Sequence, residues 1–317
     1  MITSLIENVC EVEKQAANAL VHCQSKDGFW RDFYLKPGQS EAWSTAWTGW
    51  SLAHAPNTPE IVNALRLSSS ALIQCGSSSG WGYNRNSSTD ADTTAWVLRF
   101  LSITSPLFNS SAWPSLLLQY VDSFGEAHTF NDFNTGSWSK VHSDVTALVG
   151  LALIDTHANL AIISSIRKAV LARTQCHWPP LTFWWSTNSY GLSWTIAFLE
   201  RSGGLPRNLF EPTIQWLDKN SSETLTTFEH ALDLISLSSL QQAHTSVAIW
   251  HVTQLIAMFQ ERGWKGSLLL LVPPQREGEK NIFPIGPHSD SGIMTTSLAL
   301  ASLVKWRLAI NKWLSLA

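Results

Sequence analysis

The feature that most constrains this chain is an internal repeat. A small residue followed by an apolar helical run recurs six times, at Ala46-Trp47, Ala95-Trp96, Ala147-Leu148, Ser193-Trp194, Ala231-Leu232 and Ser297-Leu298. The intervals are 49, 52, 46, 38 and 66 residues, the length of one helical hairpin apiece. The runs, Thr94 to Leu101 and Thr146 to Leu153 among them, are apolar around most of their circumference, as helices covered on both sides must be. Between them lie stretches with a single apolar stripe: Ile61, Val62, Leu65 and Leu72 on one, Leu160, Ile163, Ile166 and Val170 on another. Outer helices with one buried face have that spacing. Thr58-Pro59-Glu60 starts one of them, with a hydroxyl at the cap, proline at the first helical position and an acid in the first turn. No alternating run is long enough to predict a sheet.

Six inner and about six outer helices in alternation can close into a ring, which removes the ends an open array must cap. The expected fold is all-α, a single (α/α)6 double barrel over residues 1–317 with no domain boundary. Its axial cavity should be lined by the N-terminal ends of the inner helices and the turns before them. The long fifth interval, holding Gln241 to Pro274 and the polar loop Gln275 to Lys280, is expected to add an extra helix and a rim loop. Glycine- and aromatic-rich turns precede several inner helices: Gly28-Phe29-Trp30, Gly80-Trp81-Gly82-Tyr83, Gly136-Ser137-Trp138 and Phe183-Trp184-Trp185. Glycine permits such a turn, and the indole can stack under the neighbouring helix pair.

Composition narrows the function. Lys+Arg 21 against Asp+Glu 24 gives a net charge of -3, with no basic stripe for a nucleic acid. Charged residues are only 14% and hydrophobic ones 44%, enough for a large core and too apolar for disorder. Seventeen tryptophans exceed what core filling demands, so part of the indole surface has another use. Cys10, Cys23, Cys75 and Cys176 form no metal-binding spacing and read as reduced, buried thiols. The N-terminal residues carry Glu7, Glu11, Glu13 and Lys14 and lack a signal-peptide core. No apolar run approaches the roughly 18 residues that span a bilayer. A cytoplasmic, non-spanning protein is expected, with the apolar run Leu268 to Val272 beside a Pro-Pro turn as a candidate for peripheral membrane contact or an ordinary buried segment. Nothing in the chain signals an oligomeric state.

The second repeat places Asp90-Ala91-Asp92-Thr93-Thr94-Ala95-Trp96 at the start of its inner helix. An Asp there can be simply a helix cap. The arrangement also resembles the class II terpene cyclases, the family of squalene-hopene cyclase, whose motif is Asp-x-Asp-Asp followed by Thr-Ala; here Thr93 replaces the last aspartate. The resemblance extends to the family's glutamine-tryptophan repeat, as Gln24-x3-Gly28-x-Trp30 and more loosely Gln74 to Trp81. It continues in Asp144-Val145-Thr146-Ala147 and in Trp184 six residues before Tyr190-Gly191. The chain has about half the length of the two-barrel triterpene enzymes, and so is similar to the single-domain bacterial cyclases that make meroterpenoids of the merosterolic acid type. Where the triterpene enzymes follow Asp-Val-Thr-Ala with a histidine that polarises the acid, this chain has Leu148. His142 is the candidate substitute, or else a rim histidine without a role.

The resemblance implies protonation of an alkene, without metal or cofactor. Burial and a neighbouring carboxylate both keep a carboxyl protonated, so Asp90 beside Asp92 could hold a shared proton. Asp92 is the expected donor, oriented by Asp90 and Thr93, with Asp144 or Tyr190 hydrogen-bonding the carboxylate left behind. Trp96, Trp184, Trp185, Trp194 and Tyr190 are candidates for cation-π contacts with the carbocation, and each can equally be packing between repeats. The implied substrate is a C15 to C20 polyprenyl chain on an aromatic head group. A prenyl diphosphate is the alternative substrate, and a non-catalytic isoprenoid-binding barrel the alternative class. His251, Glu229, His230 and His288 lie near helix starts or the rim, and none stands out as the base that ends a cascade. The Asp-Asp-x-x-Asp cluster of diphosphate-ionising synthases does not occur, nor the Asp-x-Cys pair of a zinc prenyltransferase.

Overall fold

The structure, a computed structural model, describes residues 2–105, 112–221, 223–276 and 291–316. Its helices in chain order are α1 (Ile2–His22), α2 (Ala42–Leu52), α3 (Pro59–Cys75), α4 (Ala91–Thr104), α5 (Trp113–Leu118), α6 (Ser143–Asp155), α7 (Leu160–Cys176), α8 (Asn188–Arg201), α9 (Arg207–Asn220), α10 (Thr227–Ser239), α11 (Ser246–Met258) and α12 (Ile293–Leu314). The even-numbered helices are the six apolar runs of the repeat. Each packs on the next, α2 on α4, α4 on α6, and so on to α12, which returns to α2 and closes the ring. The odd-numbered helices form the outer layer, with α5 reduced to under two turns.

Local sequence explains the helix starts. Thr58 accepts a hydrogen bond from the Ile61 N–H and Pro59 follows it. Thr226 and Glu229 form a reciprocal capping box on α10. The closing seam between the first and last repeats is polar and buried. Both oxygens of the Asp32 carboxylate accept from the start of α12, from the Ser291 N–H and hydroxyl and from the Met294 N–H. The Trp47 indole donates to the Met294 carbonyl, and Arg307 of α12 pairs with buried Glu13 of α1.

One clamp recurs in the turns before the inner helices. The indole N–H groups of Trp30, Trp81 and Trp264 donate to the Leu20, Leu72 and Leu255 carbonyls near the ends of the preceding outer helices. Their backbone N–H groups donate to the hydroxyls of Thr45, Thr94 and Thr296 on the inner helices that follow. Glycine is required beside the clamp. Gly80 and Gly263 have φ of 104° and 131°, and a Cβ on either would lie 2.5 and 2.6 Å from the threonine hydroxyl.

Several expectations are corrected. Val62 and Leu160 are 54% and 80% exposed, so the buried stripes omit them; each sits in the first turn of its helix, at the rim. The fifth interval adds no extra helix among the described residues: α11 is its ordinary outer helix, and the surplus is an extended strap after it. Residues 268–272 belong to this strap and not to a free apolar face. Leu270 and Val272 are buried, and the Ser186 and Leu271 N–H groups tie the strap to the turn before α8. A two-stranded ribbon, Tyr34–Leu35 with Gly38–Gln39, was not anticipated. The turns at Trp138 and Trp184 do not repeat the clamp; their indoles bond Pro273 of the strap and the Thr129 hydroxyl. All four cysteines are free and exposed, on outer helices or just beyond them. By length and composition α12 could cross a membrane, but it is an inner helix and most of that stretch is buried. Residues 277–280 of the polar loop, and His288, lie outside the described residues.

Thr296→Val removes the acceptor of the buried Trp264 N–H. It should lower the unfolding free energy by about 1–3 kcal/mol, seen as a lower urea midpoint at constant slope. An unchanged midpoint would show that the clamp contributes nothing.

Candidate functional site

The inner helices run in one direction, so that N-terminal residues meet N-terminal residues around the axis. Three positions before the small residue of each repeat stand Trp43, Asp92, Asp144, Tyr190, Phe228 and Met294. One turn deeper stand Trp47, Trp96, Leu148, Trp194, Leu232 and Leu298. Ring contacts follow these layers: Trp185 stacks on Tyr190 at 4.0 Å and on Phe228 at 5.3 Å, Trp43 lies 5.9 Å from Trp185, and in the deeper layer Trp96 meets Trp47 at 4.5 Å and Trp194 at 5.1 Å.

Three carboxyls reach this end of the barrel. Asp90 caps α4: one oxygen accepts from the Thr93 N–H at 2.7 Å, the other from the Thr93 hydroxyl at 2.9 Å. Burial still pushes its pKa up to about 7. Asp144 accepts from the Val145 N–H at 3.1 Å and from the Phe183 and Trp184 N–H groups at 3.2 and 3.4 Å. Burial raises it to about 6, held there by those three donors. Asp92 differs from both. It is partly exposed although protein surrounds it. Desolvation lifts its pKa well above the usual range, and the charges of Asp90 and Asp144 lift it further. The Trp43 N–H makes no hydrogen bond of ordinary geometry, yet it lies against the Asp92 carboxyl and draws its pKa back down.

The other expected site residues separate into groups. Tyr190 is buried at this layer, its hydroxyl unpartnered, and burial with the charges of Asp92 and Asp144 pushes its pKa well up. Thr93 spends its N–H and hydroxyl on Asp90, so it orients Asp90 and not Asp92. Asp90 bonds Thr93 and is approached by the Asp92 backbone N–H, but no hydrogen bond joins the two carboxyls; these interact by charge repulsion in place of the expected shared proton. Asp144 is occupied as an acceptor, so it acts on Asp92 as a charge and not as a donor. His142 stacks on Phe183 at 3.7 Å and its Nε2 meets the Ser137 carbonyl, with burial lowering its pKa to about 4. It touches Asp144 only indirectly, by packing on the residue whose N–H holds that carboxylate.

Trp185 is in the axial stack. Trp184 is half-buried above it, with Trp138 at 5.5 Å. Trp96 and Trp194 face a fixed cation: the Arg99 guanidinium lies 4.8 and 5.3 Å from their ring centres and 4.8 Å from Trp50. Arg99 is itself paired with Asp155 at 3.0 Å. His230 and His251 are buried against one another, Nδ1 to Nδ1 at 3.0 Å, between α10 and α11; Glu229 closes the α10 capping box. Among the described residues no group of three His, Cys, Asp or Glu side chains could hold a metal ion. Sequence reasoning missed Trp43, Trp47, Phe228 and Arg99. The repeat register would have found the first three.

No protein-family model matches the chain, and no curated protein sequence matches it. Solved structures do. The type II terpene cyclase MstE from Scytonema, in its apo form, superposes with a TM-score of 0.79 at 20% identity, over 96% of this chain and 99% of that one. A point variant of MstE in complex with the substrate geranylgeranyl dihydroxybenzoate gives 0.78 at 19% identity, over 98% and 100%. A protein from Actinoplanes gives 0.74 at 17%, over 94% and 99%. The chain has the all-α fold of the type II terpene cyclases along nearly its whole length.

The pKa shifts carry a stability consequence. Asp90 near 7, against about 3.8 unfolded, binds its proton more tightly when folded, so its contribution is complete below pH 3.8 and is lost as pH rises through 7. Buried His142, His230 and His251, lowered to about 4, 4 and 3, work in the opposite direction below pH 6.5, so Asp90 is read as a difference: the wild-type melting temperature relative to that of Asp90→Asn should fall between pH 5.5 and 8.5. Asp90→Asn keeps a capping side chain; parallel curves for the two proteins would show that Asp90 titrates normally.

Proposed function

We propose that this chain is a class II terpene cyclase, one barrel acting as a whole, that protonates a polyprenyl chain and drives its cyclisation. The observation that carries the reading is Asp92: a partly exposed carboxyl surrounded by protein, its proton held by burial and by two neighbouring carboxyls, among the aromatic rings at the N-terminal ends of the inner helices. A group that must give its proton to an alkene needs that proton at neutral pH and needs water kept away.

In the proposed reaction the proton passes from the Asp92 oxygen to the terminal double bond, and the O–H electron pair stays on the carboxylate. The tertiary cation is attacked by the next double bond, and so on along a chain held pre-folded by the walls. The last cation loses a proton, so the product is an isomer of the substrate, and solvent restores the acid. The rings nearest Asp92, Trp43, Trp185, Tyr190 and Phe228, offer π faces to the cations. Desolvated contacts of this kind are worth about 2 kcal/mol each. The closed barrel needs no metal for these steps.

For the substrate we favour a C15 to C20 prenyl chain on an aromatic head group. Support comes from the fold shared with MstE, whose variant binds geranylgeranyl dihydroxybenzoate. Incubation with aryl-geranylgeranyl substrates and with farnesyl and geranylgeranyl diphosphates, in heavy water, tests both levels. The expected result is one deuterium per cyclised aryl-prenyl molecule. Asp92→Asn should lose about 10²–10⁴-fold in rate. A folded Asp92→Asn protein cyclising at the wild-type rate would overturn the acid assignment. Turnover of diphosphates alone would overturn the head group.

A further inference from the structure

We propose that the Trp43 indole N–H is the donor that stabilises the Asp92 carboxylate as its proton leaves, the task for which this chain has no histidine. This rests on the cyclase reading for its catalytic part, and on the geometry of Trp43 alone for the contact.

Trp43 stands in the first repeat where Asp92 stands in the second and Asp144 in the third. The ring is 4% exposed and fixed on three sides: edge-on to Phe33 at 5.5 Å, and tilted against Trp47 at 6.0 Å and Trp185 at 5.9 Å. The buried indoles of Trp30, Trp47, Trp81, Trp264 and Trp306 each donate to a backbone carbonyl. Trp43 has no such acceptor, and neither do Trp96 and Trp194 one turn deeper, whose ring faces are taken by Arg99; an unbonded buried donor is costly, and of these three only Trp43 stands in the layer of Asp92. On the neighbouring inner helix, at the same level, stands the Asp92 carboxyl. A long contact to the neutral acid that tightens as charge develops gives stabilisation where the transition state needs it.

At the familiar place this chain carries Leu148, which has no polar atom to offer the acid. It lies one turn deeper than Asp92, level with Trp96, in an apolar layer. An indole also suits the chemistry better than an imidazole. It is a donor without a basic lone pair, so it does not compete for the acid's proton. Its N–H stays in place throughout the reaction. Its face remains a π surface.

The groups that face Asp92 set the background for a pH test. Asp90 lies at the cap of the same helix, Asp144 reaches in from α6 and Tyr190 from α8. From α2 the charged neighbour is Glu41 at the helix start, tied to Arg31 and Arg85. On the α5 side the Tyr120 phenol senses Asp90. None of these is altered by a change at Trp43 that keeps the ring.

The decisive variant replaces Trp43 with benzothienylalanine, which exchanges the N–H for sulfur in a ring of similar shape; Trp43→Phe is the second. The expected result in both is a fall in kcat of about 10- to 100-fold with KM within a few-fold, the range for a lost hydrogen bond to a charged group. The Asp92 protonation midpoint, read by carbon-13 NMR of labelled aspartate, should rise by about 1 to 2 pH units. A midpoint and kcat equal to wild type in the sulfur analogue would overturn the proposal. So would a wild-type Trp43 indole resonance that stays fixed while Asp92 ionises, a measurement that needs no variant to fold. If the wild type cyclises no substrate, the cyclase reading fails, and the two NMR titrations still decide the contact.

Discussion

Three carboxyls share one dry end of a barrel, and they cannot all give up their protons. What separates them is the supply of donors. A hydrogen bond to a charged group is worth about 1.5–3 kcal/mol. Asp144 takes three backbone N–H groups, and Asp90 takes both donors of Thr93. Asp92 has only the loose approach of an indole. Of the three, Asp92 is therefore the carboxyl that burial and neighbouring charge push furthest toward its protonated form, and it is the one that is partly exposed. This partition depends on the ring being closed: the Asp32 seam that pins the start of α12, and the Glu13–Arg307 pair behind it, exclude the water that would erase the differences.

Tryptophan has three separate uses here, which explains its abundance. Trp30, Trp81 and Trp264 are mortar between outer and inner helices, with the indole N–H spent on an outer-helix carbonyl and the backbone N–H on an inner-helix threonine hydroxyl. Trp96 and Trp194 hold the buried Arg99, whose permanent charge occupies the surface that a transient cation would otherwise claim. Trp43, Trp47 and Trp185 remain for the axis beside Asp92. The expectation that Trp96 and Trp194 serve a carbocation therefore meets a physical competitor. A guanidinium at 4.8 Å from Trp96 is always there, whereas a carbocation exists only during turnover.

The barrel was legible because its signal is periodic. Six buried helices at intervals near 50 residues give the same pattern six times, and closure follows from the need to cover the ends. The acid proposed above was picked out because Asp-x-Asp before Thr-Ala is a short contiguous pattern. What escaped was set by contacts between repeats. His142 sits two residues from Asp144, and nothing in that spacing shows that its ring turns onto Phe183. Arg99 reads as one polar residue in an apolar helix until Asp155, 56 positions later, is brought beside it. Val62 and Leu160 fit their stripes by spacing and fail because a first turn at the rim has nothing above it to pack on. Trp43 was hidden by its own ordinariness in a tryptophan-rich chain. Only superposing the repeats shows that it stands in register with two aspartates.

The direction of the inner helices completes the electrostatic argument. Each helix N-terminus carries about half a positive charge, so six of them bring roughly three to the end where Asp92 lies. The C-terminal ends, correspondingly negative, are matched by Arg99, Arg201 and Lys305. At the acid's end the compensation is incomplete while Asp92 keeps its proton, because only Asp144 and part of Asp90 are ionised near neutrality. Transfer of the proton adds the missing negative charge at the place the helix ends favour. The surrounding field thus opposes the carboxylate through desolvation and neighbouring charge, and favours it through oriented N–H groups. In the proposed reaction, an acid poised between those two forces would hold its proton against water and still release it to a weak base pressed against it. The released charge is then close enough to the new cation to offset the positive helix ends, which would otherwise make the axis hostile to it.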